Sequence, residues 1–370
     1  MSSIKTGITL IASRMKADIS ELPDAEITAA PSTPEDLAEL LAEASASGLR
    51  VLVWGGGSHQ GFGYRVEPDL VISTSRLNRL VAWEPNDMTV VVEGGVGVAD
   101  LESRLATRGQ TAVLPETLNV ATVGGVLAAA ISGYRRARYG PTRDRILEIT
   151  VVTGDGRIVK AGGRVVKNVT GYDLPRLVVG SFGALGVVVS ACLKLWPLPT
   201  SSATVTLDDP ALASSIYRPL ALVSDRRETR VFLAGTEAEV ESQADRLGGQ
   251  REDGLRWPLP VRGVITWSLR VPPSMVEAAL PRIVPDASWI AQVLVGEIAI
   301  GTNDLNGMVD LRGWAESVGG RLVVSGGPDD LYQRIDPWGS PPPGLDLQRR
   351  LIEAFDPHRV INPGRLPGGI

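Results

Sequence analysis

The 370-residue sequence predicts an α+β fold: a strand-rich domain punctuated by glycine, then a smaller α+β unit built on an antiparallel sheet. Three observations predict it. Glycine-rich tracts at 55–63, 115–133 and 162–186 follow one another in the first half of the chain, the first after the β-prone run 51–54 and the third before the apolar run 187–189. The Gly154, Asp155, Gly156 triplet between 149–153 and 157–160 is a strong hairpin signal. Composition then shifts beyond a linker of Pro197, Pro199, Thr200, Ser201 and Ser202.

Taken in order, Thr33 followed by Pro34, Glu35 and Asp36 predicts a helix start, with Pro in the first turn and acids at the positive dipole end. Leu37, Leu40, Leu41 and Ala44 give that helix a buried face, and Gly48 stops it. Strands are expected at 51–54, 70–73, 80–83 and 89–93, with a turn at Pro85, Asn86 and Asp87. Leu101 and Leu105 mark a short helix ending at Gly109. Residues 126–131 read as a small-residue helix entered through Thr122, Val123, Gly124 and Gly125 and stopped by Gly133. The apolar run from Val187 ends at Pro197. Beyond the linker, strands are expected at 204–207, 220–224 and 230–233 and a surface helix at 237–247. Segments 264–271, 289–300 and 322–325 complete an antiparallel sheet, with helices at 274–283 and 305–318 on one face. Pro341, Pro342 and Pro343 stiffen the connection to a last helix, 345–355.

The tracts carry the chemistry. After Val51, Leu52, Val53 and Trp54, the run Gly55, Gly56, Gly57, Ser58 can turn successive amides into one concavity that holds phosphate oxygens without a lysine. The spacing is neither the Rossmann fingerprint nor a Walker loop. In the second tract, the N-terminal amides of the helix after Thr122 are expected to face a phosphate or a ring carbonyl. The basic run Arg135, Arg136, Arg138 follows, then Tyr139, Gly140, Pro141, Thr142, Arg143 and Asp144. Each tract alone has a structural explanation; their order makes them informative.

With GGRVVKNVTGYDL at 162–174 and GSFGALGVV at 180–188, that order resembles the FAD-binding domain shared by relatives of vanillyl-alcohol oxidase and para-cresol methylhydroxylase (PCMH). Within that superfamily the chain is similar to the small FAD-binding subunit of bacterial glycolate oxidase (glycolate dehydrogenase), over residues 27–198 and again at the tail from Phe355 to Arg365. The resemblance implies a PCMH-type two-subdomain FAD-binding domain at 27–199, after an N-terminal segment at 1–26. It also implies a reduced α+β cap with an antiparallel sheet at 200–340 and a C-terminal segment at 341–370 returning to the FAD domain. It makes Gly55, Gly56, Gly57 and Ser58 the pyrophosphate loop, with His59 beside it. Pro115, Thr122, Gly124, Gly125, Ser132 and Gly133 would line the flavin and its phosphates, and Gly186 and Val187 would lie by the adenosine or ribityl part. Arg138, Gly140, Lys167, Tyr172 and Arg143 are flavin-proximal candidates. Some relatives attach flavin covalently through a first-loop His; Ser58 stands at the matching position here, so non-covalent FAD is expected.

Composition narrows the rest. Hydrophobic residues make up 44% and charged residues 21%, ordinary for a globular chain, and the net charge of −5 argues against a nucleic-acid partner. No apolar run approaches the about 20 residues that span a bilayer, and 8–12 is too short for a signal-peptide core. The expected location is the cytoplasm, reaching the inner membrane only through partners. One cysteine, Cys192, leaves this chain unable to form an internal disulfide or to hold an iron–sulfur cluster, so electrons leaving a flavin must pass to another molecule. The two histidines, His59 and His358, form no metal-ligand pattern.

Flavin oxidation of a small 2-hydroxy acid needs a clamp for the carboxylate and a base for the hydroxyl proton. In full-length relatives that base is commonly a cap histidine, yet residues 200–345 contain none. The expected function is therefore that of an FAD-binding subunit taking part in oxidation of glycolate to glyoxylate, beside a larger FAD-bearing subunit and an iron–sulfur subunit. Two rivals stay open: a stand-alone FAD oxidoreductase whose base is a Tyr, a Lys or a carboxylate such as Glu297, and a structural subunit without redox function.

Overall fold

A computed structural model describes residues 2–15, 22–23, 25–116, 120–164, 172–209, 212 and 216–370, with side chains from residue 7 onward. The first layer grows from the cap at Thr33. Its hydroxyl accepts the Asp36 N–H at 3.0 Å while the Asp36 carboxylate accepts the Thr33 N–H at 3.2 Å, so helix Pro34–Ser47 starts with its outer amides paired. Leu37, Leu40, Leu41 and Ala44 are fully buried in one core with a parallel sheet ordered Ile27–Ala29, Leu70–Ser73, Val51–Trp54. An N-terminal helix, Ser2–Arg14, adds Ile8 and Ala12 to that core; its pattern was not read as a helix in the sequence.

The second layer is a five-stranded antiparallel sheet ordered Leu80–Glu84, Thr89–Glu93, Val187–Lys194, Ile146–Val152, Ile158–Gly162. The last two strands form the hairpin expected from Gly154, Asp155 and Gly156. Helices Val98–Ala106 and Val123–Ala129 cover one side through Val98, Leu101, Leu105, Val123, Val126 and Leu127. Val152, Val187 and Val189 face the first layer's core instead, so the two layers share a boundary.

Beyond the linker lies a single eight-stranded antiparallel sheet. Its order is Gln250–Asp253, Ser201–Thr206, Thr229–Gly235, Ala221–Asp225, Ser288–Gln292, Glu297–Thr302, Ile265–Arg270, Arg321–Gly326. The run expected as one segment over 289–300 is two of these strands. Gly296, at φ 69°, turns the chain back so that Gln292 pairs with Glu297 and Ser288 with Gly301. The helix expected at 274–283 is reduced to Val276–Ala279 between 3-10 turns, because Pro272, Pro273 and Pro281 remove amides on both sides. Linker residues Ser201 and Ser202 already pair in the sheet, and edge strand Gln250–Asp253 was not foreseen.

Alternation along Thr229–Gly235 decides which way this sheet looks. Val231 and Leu233 pack under helix Glu237–Leu247, while Phe232 and Ala234 join Leu220, Val223 and Ile290 on the opposite face, where Tyr134 from the first half of the chain also packs. Trp257 lies stacked between Phe232 at 4.3 Å and Tyr134 at 5.2 Å. The tail then returns. Buried Asp356 accepts the N–H groups of Val360 and Ile361, and Ile361 bridges in parallel to Val51, beside the strand that feeds the first glycine tract.

Candidate functional site

Strand Val51–Trp54 ends where Gly55, Gly56, Gly57, Ser58 and His59 begin, and the backbone N–H groups of all five donate to no described residue. Five consecutive amides without a described partner on one glycine-rich loop suit the binding of an anion. Two of the glycines are demanded by packing as well. A Cβ on Gly56 would stand 1.5 Å from the Val120 carbonyl oxygen, and one on Gly55 would stand 2.4 Å from Thr122 Oγ1, so only a bare backbone lets this loop lie against the second tract.

The second tract departs from its expectation. The Val123 N–H donates to the Val96 carbonyl at 2.9 Å, the Gly124 N–H to the Gly94 carbonyl at 2.7 Å, and the Gly125 N–H to the capping Thr122 hydroxyl at 3.2 Å. With Val98 donating to the Ala121 carbonyl, these bonds form a short antiparallel ladder into which the helix start is stitched. The helix therefore offers no free amide in its first turn. Gly124 is bare so that it can meet the Gly94 backbone, and Gly124 and Gly125 contribute wall to the site without contributing donors. The helix also stops earlier than expected, at Ala130 in a left-handed conformation, before Gly133.

Between the first and second tracts runs a narrow cleft with a cavity volume of about 80 Å³. Val53, Gly55, Gly56, Gly57, Ser58 and His59 form one wall, with Gln60 and Thr74 beside them. Gly124, Gly125, Ala128 and Ala129 form the second. The third comes from the end of the 162–186 tract and the tail: Phe182, Gly183, Gly186, Val187, Val188, Asn362 and Arg365. Asn362 holds this corner together, accepting the Val53 N–H at 3.1 Å and donating to the Phe182 carbonyl at 2.7 Å. Among the described residues no carboxylate lines the cleft. Burial pushes the His59 imidazole down to about 4, leaving it neutral at pH 7, with its Nδ1 2.9 Å from Ser58 Oγ.

Nine of the residues singled out in the sequence meet here: Gly55, Gly56, Gly57, Ser58, His59, Gly124, Gly125, Gly186 and Val187. Thr122 stands just behind as the helix cap. Others lie off the cleft. Pro115 and Gly133 are close to each other, and the Glu116 carboxylate covers Gly133, paired with Arg135 and accepting the Tyr134 N–H. Ser132 accepts the Thr142 N–H, the Gly140 carbonyl accepts from buried Arg145, and Arg138 reaches across to the Ala234 carbonyl of the second domain. Arg143 lies near Asp144 with most of its side chain exposed, and Tyr172 is 93% exposed. Lys167 lies outside the described residues. Glu297 is held between Arg136 at 2.9 Å and Arg270 at 3.3 Å, an ion-pair bridge that ties up both carboxylate oxygens. Gln60, Phe182 and Arg365 were missed as site residues; Arg365 and Asn362 carried a signal only as part of the tail resemblance.

Residues 25–162 match the family model described as an FAD binding domain. The chain is 36% identical over 179 residues to an uncharacterized FAD-linked oxidoreductase of Mycobacterium tuberculosis, covering 48% of this chain and 39% of that protein. It is 31% identical over 218 residues to the glycolate oxidase subunit GlcD of Bacillus subtilis, covering 58% of this chain and 45% of that one. It is 29% identical over 304 residues to the glycolate oxidase subunit GlcE of Escherichia coli, covering 78% of this chain and 84% of that one. The chain thus spans less than half the length of the first two relatives and most of the third. Among solved structures, an alkyldihydroxyacetonephosphate synthase superposes with a TM-score of 0.66 at 17% identity, over 93% of this chain and 77% of that one. The chain has the PCMH-type fold, and its residues 25–162 are similar to an FAD binding domain, with FAD as the cofactor.

Proposed function

We propose that this chain is an FAD-bearing subunit of a glycolate (2-hydroxy acid) oxidase complex, taking part in oxidation of glycolate to glyoxylate and passing electrons to a partner subunit. The observation that carries the reading is the run of five free amides from Gly55 to His59 on a cleft wall without a carboxylate, a fit for a diphosphate. In this reading the Gly55–His59 amides hold the diphosphate, and Gly186 and Val187 lie along the adenosine or ribityl part. When bound, FAD supplies a hydride acceptor; the protein supplies position and proton handling.

Proton handling is where the chain falls short of acting alone. His59 is a weak base with a value of about 4. Burial raises Tyr134 and Tyr64 to about 12, and both oxygens of Glu297 are committed to arginines. No histidine stands between 200 and 345. Among the described residues no group of three or more His, Cys, Asp or Glu could hold a metal ion. These features support dependence on a larger FAD-bearing subunit for the substrate base. The single cysteine, buried Cys192, supports electron exit through a separate iron–sulfur subunit. Similarity to GlcE over most of both chains supports the same assignment. Among the described residues no helix is long and apolar enough to cross a membrane, and the proposed location is the cytoplasm, with membrane contact only through partners.

The test is the visible absorbance of the purified chain, before and after anaerobic glycolate or D-lactate. A flavin band that stays oxidised alone and bleaches on addition of the larger partner is the expected result. Bleaching by the chain alone would make it a self-sufficient dehydrogenase, and a colourless chain that takes up no added FAD would leave a structural subunit.

A further inference from the structure

Among the described residues, the single formally charged side chain on the cleft wall is one that the glycine tracts do not contain. Arg365 lies in the tail, 5% exposed, and lines the cleft with Gly55–His59. Among the described residues its guanidinium has no carboxylate partner. Nε donates to the Phe62 carbonyl at 3.3 Å, and Nη2 to the Gln60 carbonyl at 2.9 Å and to Gln60 Oε1 at 2.5 Å; no bond from Nη1 to a described residue is present. Gln60 is the residue that ends the run of free amides, so the cation abuts the proposed diphosphate concavity. Its backbone is pinned as well, with the carbonyl accepting from Trp338 Nε1 and from the Tyr64 N–H.

A buried guanidinium without a counter-charge costs several kcal/mol of desolvation that neutral hydrogen bonds repay only in part. Buried charges perturbed in this way cluster at ligand sites, and this one lines the cleft. We propose that Arg365 is the counter-charge for the diphosphate of FAD, completing from the C-terminal tail a site whose amides come from the first glycine tract. The inference rests on the cofactor reading above and adds to it a charge-specific residue far along the chain. Burial, with Arg65 nearby, pushes the guanidinium down to about 10, the direction expected of a cation waiting for an anion.

The test compares FAD with riboflavin, which carries no phosphate, by fluorescence titration of the apo form of the full chain, with melting temperatures measured in parallel. For Arg365→Gln, FAD affinity is expected to fall about tenfold or more, with riboflavin affinity and the apo melting temperature little changed. Equal loss of both flavins, or a parallel drop in apo melting temperature, would reduce Arg365 to a structural role and overturn the inference; so would unchanged FAD affinity. If the Gln variant does not fold, Arg365→Lys carries the test. A change confined to FAD, or affinity kept for both flavins with the charge retained, supports the inference; a loss shared equally by riboflavin overturns it. Wild-type protein that binds no FAD would sink the cofactor reading itself, a distinct result.

Discussion

At the scale of single residues, Gly56 serves two ends at once. Its N–H is free for a ligand, and its missing Cβ leaves room for the Val120 carbonyl 1.5 Å from where that carbon would be. Gly56→Ala is therefore expected to destabilise the apo protein by about 3 kcal/mol or more, read as a lowered denaturation midpoint, and to abolish flavin retention through the displaced loop. His59 gives a second prediction, through pH. Its native value of about 4 lies below the unfolded value of 6.5, so the unfolded chain binds the extra proton between those limits. The stability tied to neutral His59 is whole above pH 6.5 and is lost as pH falls towards 4, at most about 1.4 kcal/mol per unit before solvent screening. Any melting-temperature advantage of wild type over His59→Gln should shrink towards zero or reverse as pH falls through that window, because the Gln variant lacks the titration. A constant difference would show that His59 is not held neutral by burial.

At the scale of elements, the site is made by three segments distant in sequence, and that distance decides what could be read in advance. The Gly55–Ser58 concavity was legible because a run of small residues after a β-prone strand sets its own backbone course. The role of Thr122, Gly124 and Gly125 was half legible: the cap was visible, but the amides are consumed by Gly94 and Val96, partners no local pattern reveals. The 289–300 stretch was misread because apolar continuity hid a turn at Gly296. Asn362 was least legible as a clamp. It joins Val53, 309 residues away, to Phe182, and takes a left-handed φ of 46° to do so. Asn362→Ala should orphan the Val53 amide at a cost of about 1–3 kcal/mol and add backbone strain. Hydrogen exchange should then quicken in Val51–Trp54 and near Phe182 while the eight-stranded sheet keeps its protection. Uniform loss of protection would mean that the tail supports the whole fold rather than this corner.

At the scale of the whole molecule, the eight-stranded sheet meets the FAD-side domain through aromatic stacking and charge. Tyr134 stacks on Trp257, Arg138 reaches the Ala234 carbonyl, and Glu297 bridges Arg136 of one domain and Arg270 of its own. Tyr332 Oη donates to the Gly61 carbonyl, and Arg65 pairs with Asp329, so the loop after Gly55–His59 is also fixed to the segment that follows the eight-stranded sheet. Glu297 separates two accounts of the molecule. If it were the substrate base, Glu297→Gln would cost on the order of 100-fold or more in flavin reduction. As an ion-pair bridge it has no oxygen free to take a substrate proton, because each is paired with a guanidinium. Glu297→Gln is then expected to lower the denaturation midpoint by about 1–3 kcal/mol, since two arginines lose their shared partner at a half-buried junction. Flavin reduction by glycolate in the assembled complex should change by less than about tenfold. A double-mutant cycle with Arg136→Gln places the interaction: coupling between the two positions assigns Glu297 to the junction. Additive effects with a collapse of reduction would assign it to chemistry and return the chain to the stand-alone reading.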